Sequence, residues 1–168
     1  MNDVSAMAMD KAMLPLVVKS QAPVILMHMR GTPKDMQQQC EYRNVVQEVA
    51  ASLQAKAQLL QEPGVGADKI ILDPGIGFAK TADQNLELLR NLEALTGGIY
   101  PVLLGTSRKS TIGTVLGGLP PAERLEGTLA TTARGLEAGV QIFRVHDVQA
   151  NVRLTRMREA MPHGRAQL

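Results

Sequence analysis

The sequence has no tryptophan, only two Phe and two Tyr, and a single cysteine among 168 residues. So few aromatic rings remove the usual stacking platform for nucleic-acid bases, and they leave a core to be built from Leu, Ile, Val, Met and Ala. The lone Cys40 excludes a disulfide within the chain and fits a cytosolic thiol. Excess charge is also lacking: 18 basic against 16 acidic residues leave +2, which makes no electrostatic case for nucleic-acid binding. No apolar run approaches the ~18 residues of a membrane span, and Met1-Asn2-Asp3-Val4 lacks the basic-then-apolar layout of a signal peptide. The expectation is one cytoplasmic domain over 1–168, with a hydrophobic content of 45% sufficient for a sizeable core. Three scattered His and one Cys show no metal-ligand spacing, and no Gly-x-Ser-x-Gly hydrolase signature occurs.

What is present is an alternation. Four short apolar runs, Val24 to Met29, Lys69 to Leu72, Val102 to Gly105 and Gln141 to Val145, read as buried strands bracketed by Pro, Gly and Asp. Each is followed by helical spacing, so the unit is a repeated βα. The clearest stripe is Tyr42, Val45, Val46, Val49, Leu53, Ala57 and Leu60, stopping before Pro63-Gly64. A second helix is predicted through Leu86, Leu89, Leu92 and Leu95 to Gly97, and a third from about Ala122 to Gly139, with Gly97 and Gly139 as C-caps. The last is Val148 to Met161, whose Arg153, Arg156 and Arg158 read as a solvated face near its C-terminal end. His163 reads as part of a frayed tail. A parallel sheet follows, either about half of a (β/α)8 barrel or a small doubly wound sheet.

In both architectures ligands sit at the C-terminal ends of parallel strands, and those positions here are polar. They are His28 to Pro33, Asp73 to Lys80, Thr106 to Ser110, and Arg144, His146 and Asp147. Asp73 closes a strand into a Pro-Gly turn, where it either caps that turn or, if buried, accepts two N–H donors from a heterocycle. Gly75 and Gly77 allow a close approach. Ser107-Arg108-Lys109-Ser110 precedes the apolar stretch Ile112 to Leu116, so it is either a solvated basic turn or an anion site at a helix start, with Lys109 a donor to a ring atom. Alternation places Arg144 and His146 on one side, where both can grip a phosphate. His28 falls on the opposite side from Met27 and Met29 and reads as a packed, hydrogen-bonded residue.

Taken in order, these motifs resemble the dihydropteroate synthase family. Asn2-Asp3-Val4-Ser5 is similar to the end of that family's fourth strand, and Leu26 to Pro33 (Leu-Met-His-Met-Arg-Gly-Thr-Pro) to its fifth strand and loop. Leu72 to Phe78 (Leu-Asp-Pro-Gly-Ile-Gly-Phe) resembles the sixth, Gly105 to Ser110 the seventh, and Arg144 to Val148 the eighth. The resemblance implies an α/β fold: a partial (β/α)8 TIM barrel of roughly strands five to eight with their helices, plus the end of strand four. It also implies a transferase of folate biosynthesis that joins 6-hydroxymethyl-7,8-dihydropterin pyrophosphate to p-aminobenzoate. By resemblance, Asn2, Asp73 and Lys109 hold the pterin ring with Met29 beside it, and Arg144 and His146 hold the departing pyrophosphate. Phe78, Lys109 and Ser110 border the p-aminobenzoate pocket; Gly105 and Ser107 belong to the same substrate-binding rim, and Lys109, Arg144 and His146 carry the catalysis.

The family's Asn-Val-Thr-Pro-Asp-Ser-Phe loop, associated with Mg2+ and closure over the site, has no counterpart here, nor has its Asp-x-Gly-Gly-x-Ser segment. The open strand edges of such an arc imply a homodimer or pairing with another chain. Two other readings are a non-catalytic fragment that binds pterin or a partner chain, and a pterin-dependent methyltransferase. The second is disfavoured because methyl transfer has no pyrophosphate for Ser-Arg-Lys-Ser and Arg-Val-His-Asp to hold.

Overall fold

The computed structural model describes residues 1–161, so His163 lies outside the described residues. Five parallel strands run in chain order: β1 (Asn2–Asp3), β2 (Val24–Met27), β3 (Ile70–Asp73), β4 (Leu103–Leu104) and β5 (Ile142–Phe143). The first three form one sheet and the last two another, and a parallel bridge from Leu72 to Val102 joins them into an arc. Strand order follows sequence order with no reversal. A doubly wound sheet reverses its strand order at a switch point, so the arc has barrel topology.

Three of the four predicted strands are shorter than their apolar runs, and the fourth is shifted by one residue. β2 ends at Met27, because His28 and Met29 already belong to the loop, while β3 extends one residue further to include Asp73. β4 and β5 keep only two residues each. Hence Arg144 and His146 lie just beyond a strand rather than within it.

Alternation along the arc sorts the side chains. Val24, Leu26, Ile70, Leu72 and Leu104 point into the main core, against Val49, Leu53 and Leu60 of α2 (Val45–Gln61) and Leu88 and Leu92 near α3 (Ala82–Arg90). Fully burying each such side chain contributes about 2 kcal/mol. The register pairs Asn2 with Ile25, Ile25 with Ile71 and Met27 with Asp73, so Asp73 lies on the opposite face. There Asn2, Ile25 and Leu103 line an open crevice of about 740 Å3 that reaches Val148 and Val152 of α7 (Val148–Ala160).

The helices begin where local chemistry permits. Asn44 caps α2 by accepting from Gln47 N–H at 2.9 Å, and Thr81 and Gln84 form a reciprocal capping box on α3. The predicted second helix is in fact two, α3 and α4 (Glu93–Thr96), and Gly97 closes α4 in an ordinary right-handed conformation (φ −73°). Gly139, by contrast, takes φ +80° just after α6 (Leu125–Glu137), where a side chain would be strained. The stretch Ile112 to Leu116 does form a helix, α5 (Ser110–Val115). One helix, α1 (Met13–Ser20), was not anticipated: it carries Pro15 in its first turn, a position that needs no N–H partner. No helix among the described residues is long and apolar enough to cross a membrane.

Candidate functional site

The polar ends of β3, β4 and β5 converge. Gly105, Ser107, Lys109, Arg144, Val145 and His146 line one cavity of about 230 Å3. Asp73 lies beside it, only 1% exposed. Its Oδ1 accepts from Gly75 N–H at 2.8 Å, and its Oδ2 accepts from the Arg144 guanidinium at 3.0 Å. Burial raises the Asp73 carboxyl above the ordinary carboxylate range, while the Gly75 N–H, Arg144 and Lys109 pull it back. Asp73 therefore caps the Pro-Gly turn, and it is also a buried carboxylate. Each oxygen retains a further acceptor site for a ligand N–H.

Arg144 reaches across the arc and donates to Asn2 Oδ1 at 3.1 Å, so the chain's second residue is drawn into the same cluster. Gly105 makes room for this: a Cβ built there would lie 2.8 Å from Arg144 Nη2. That atom is the far end of a flexible side chain, so Gly105→Ala is expected to leave thermal stability nearly unchanged. It should weaken binding of inorganic pyrophosphate about threefold in calorimetric titration, because Arg144 is displaced.

Lys109 is the second cation. Its Nζ donates to Ile76 O and lies 4.5 Å from the centre of the Phe78 ring. Burial pushes its ammonium down to about 8, with Arg144 acting in the same direction and Asp73 opposing. His146 is set by Ser107, whose Oγ accepts from His146 N–H at 3.1 Å and lies 2.9 Å from Nδ1. With the hydroxyl donating to Nδ1, the ring hydrogen is on Nε2, which leaves one imidazole donor for an anion.

The loop 74–80 is shaped from beneath by two buried residues to which sequence reasoning gave no role. Lys80, 3% exposed, lies 3.0 Å from His28 Nδ1 and donates to the carbonyls of Gly75 (3.1 Å) and Phe78 (2.9 Å). Burial pushes its pKa down to about 7. Asn85 accepts from Gly77 N–H at 2.8 Å and donates to Thr111 at 3.0 Å, tying the loop to α3 and α5. Neither carries a clear sequence signal: Lys80 closes the polar segment after β3, and Asn85 follows Asp83 and Gln84 in the polar first turn of α3. His28 is packed and hydrogen-bonded, as its alternation implies.

The remaining predicted site residues are placed less centrally. Ser110 is exposed at the first turn of α5, with Lys109 in the N-cap position. Met29 is half-buried in the loop after β2 and does not line the cavity. Magnesium does not fit this donor set. Among the described residues no group of three or more His, Cys, Asp or Glu could hold a metal ion, and Asp73 already accepts from Gly75 and Arg144.

Comparison with known proteins gives a consistent result. A family model described as "Pterin binding enzyme" matches residues 1–146. The dihydropteroate synthase of Synechocystis sp. is 42% identical over 160 residues, which cover 95% of this chain and 55% of that protein. That of Clostridium beijerinckii is 43% identical over 157 residues, covering 93% and 55%. Solved structures of the Thermus thermophilus dihydropteroate synthase superpose with a TM-score of 0.89 at 38% identity. One, with 4-aminobenzoate, is matched over 95% of this chain and 64% of its own; the other, with 6HMPPP, over 95% and 63%. The chain thus spans about half the length of the curated relatives it matches.

Proposed function

The chain belongs to the pterin binding enzyme family, and from that premise we propose that it is a dihydropteroate synthase polypeptide. Its rim holds 6-hydroxymethyl-7,8-dihydropterin pyrophosphate for attack by the amino group of p-aminobenzoate, releasing pyrophosphate and leaving 7,8-dihydropteroate. The observation that carries this reading is the convergence of Lys109, Arg144 and His146 on one cavity beside the buried Asp73. A carboxylate for an N–H edge adjacent to cations for a diphosphate matches a ligand with both parts.

Asp73 accepts from the amino-substituted edge of the pterin, with Asn2 and Lys109 bordering the ring and Met29 beside it. Arg144 and the His146 Nε2–H hold the diphosphate as negative charge builds on it, and Gly105 and Ser107 shape that end of the cavity. Positive charge developing on the pterin methylene is stabilised in a site whose buried anion is Asp73. Phe78, Lys109 and Ser110 border the p-aminobenzoate. The catalytic contribution of Lys109, Arg144 and His146 is electrostatic, exerted by groups held in place before the reaction begins.

Within the family's barrel the arc corresponds to strands five to eight, with β1 as the end of strand four. Its outer strands β1 and β5 and the exposed Val148, Val152 and Met157 of α7 call for a cover. A second copy or a chain bearing the remaining βα units provides it. A single half-buried thiol fits a reducing, cytoplasmic setting. A second reading is a chain that binds pterin without turning it over.

Pyrophosphate release from dihydropterin pyrophosphate, p-aminobenzoate and magnesium tests the proposal, with Lys109→Ala as the control. Turnover that falls at least tenfold in the variant is the expected result. Equal turnover in both would overturn the assignment of Lys109, and none from a folded chain would leave the binding-only reading.

A further inference from the structure

Two loops form the anion cavity, one after β4 and one after β5, and they are fastened to each other by a contact outside it. Arg108 donates to both carboxylate oxygens of Asp147, from Nε at 3.0 Å to Oδ2 and from Nη2 at 2.6 Å to Oδ1. Arg108 itself takes a left-handed backbone conformation (φ +57°) that few side chains adopt. That conformation is held from the other side: its N–H donates to Thr128 Oγ1 at 3.1 Å, and its carbonyl accepts from Arg124 at 2.8 Å. Arg108 is thus anchored to α6 through its backbone and to the β5 loop through its guanidinium.

Asp147 is equally unusual. It occupies the N-cap position of α7, where an Asp side chain ordinarily accepts from the helix's first free N–H groups. Here it makes no such bond, and its carboxylate is turned to Arg108 instead. The residues flanking this pair are the ones that face the cavity: Ser107 and Lys109 on one side, His146 on the other, with Ser107 bonded to His146.

We propose that Asp147 is a positioning residue for the anion cavity: through its bidentate pair with Arg108 it sets the two loops in the register that presents Ser107, Lys109 and His146 to one diphosphate. This rests on the reading of that cavity as a diphosphate site. A fork-to-fork pair fixes orientation as well as distance, which a single hydrogen bond does not.

The sign of one substitution separates this role from simple electrostatics. Asp147→Asn removes a negative charge from the neighbourhood of an anion site, so charge alone would tighten anion binding. Loss of the fastening would weaken it. Stability gives no such separation, since an Asn can take up the vacant cap on α7.

The experiment is a calorimetric titration of the whole chain with inorganic pyrophosphate at low ionic strength, where a partly exposed pair is least screened. About fivefold weaker binding is expected for Asp147→Asn, and a similar loss for Arg108→Lys, which keeps the charge but not the fork. The double variant should lose little more than either single one, because both break the same contact. Asp147→Glu, which can still reach the guanidinium, should recover part of the loss. Tighter or unchanged binding in Asp147→Asn, or additive losses in the double variant, would overturn the proposal and leave the diphosphate site standing. Absence of pyrophosphate binding by the unaltered, folded chain would overturn both.

Discussion

Replacing Asp73 with Asn is expected to lower the affinity for the dihydropterin about hundredfold while leaving the chain folded. The amide keeps one oxygen to accept from Gly75 N–H, so the Pro-Gly turn keeps its cap. It loses the second acceptor and the charge, and turns an N–H toward Arg144, which now donates to Asp73 at 3.0 Å. A ligand edge with two N–H donors then meets one acceptor where it needs two, and the unpaired donor bears its full desolvation cost. There is a second consequence. Asp73 acts to raise the pKa of both Lys109 and Lys80. Without it Lys109 should lose its proton at lower pH, so pyrophosphate binding in the variant should fade earlier on the alkaline side. Fluorescence titration with the pterin and a pH series with pyrophosphate measure the two effects. An affinity within threefold of the unaltered chain would remove Asp73 from the pterin site.

Acid is expected to destabilise the fold steeply between about pH 6.5 and 3, with His28 as a main cause. Burial, reinforced by Lys80 and Arg30, pushes its pKa down from 6.5 to about 3, so the folded chain keeps the imidazole neutral. In that window the unfolded chain binds a proton that the folded one does not, so stability rises with pH there and is lost as pH falls. At about 1.4 kcal/mol per unit of displacement the loss is of order 5 kcal/mol at most, or roughly 10–20 °C in Tm. The same sign continues through Lys80, held at about 7 against its ordinary 10.5: stability should rise again as pH climbs from 7 toward 10. His28→Asn supplies an oxygen for Lys80 Nζ to donate to and does not titrate. Its stability curve should therefore be flatter between pH 4 and 6.5. Parallel curves for the two proteins would exclude His28 as the acid-sensitive group.

The sequence disclosed the repeat because parallel strands buried against helices leave apolar runs that local pattern can find. It disclosed the rim because polar residues directly after such runs have few structural reasons to be there. Asp73, Ser107, Lys109, Arg144 and His146 all stand at such positions, and the fold brings them together. What stayed hidden is the work of residues whose partners lie far along the chain. Lys80 meets His28 across 52 positions, and Arg108 meets Asp147 across 39; neither spacing leaves a periodic trace. α1 was missed for a local reason, since Pro15 and the Met- and Ala-rich approach to it offer no clear helical stripe. The boundaries of β4 and β5 failed differently: only Leu103 and Leu104 pair with Ile142 and Phe143, and hydrogen bonding rather than hydropathy sets where a strand begins and ends.

The central claim is that one rim binds the pterin through Asp73 and the diphosphate through Lys109, Arg144 and His146. Calorimetric titration of the unaltered chain with dihydropterin pyrophosphate, beside inorganic pyrophosphate, tests it most directly. The pterin compound is expected to bind at least tenfold more tightly, because only it engages the carboxylate and the cations together. Equal affinities, or no binding of the pterin compound by a chain shown to be folded, would contradict it.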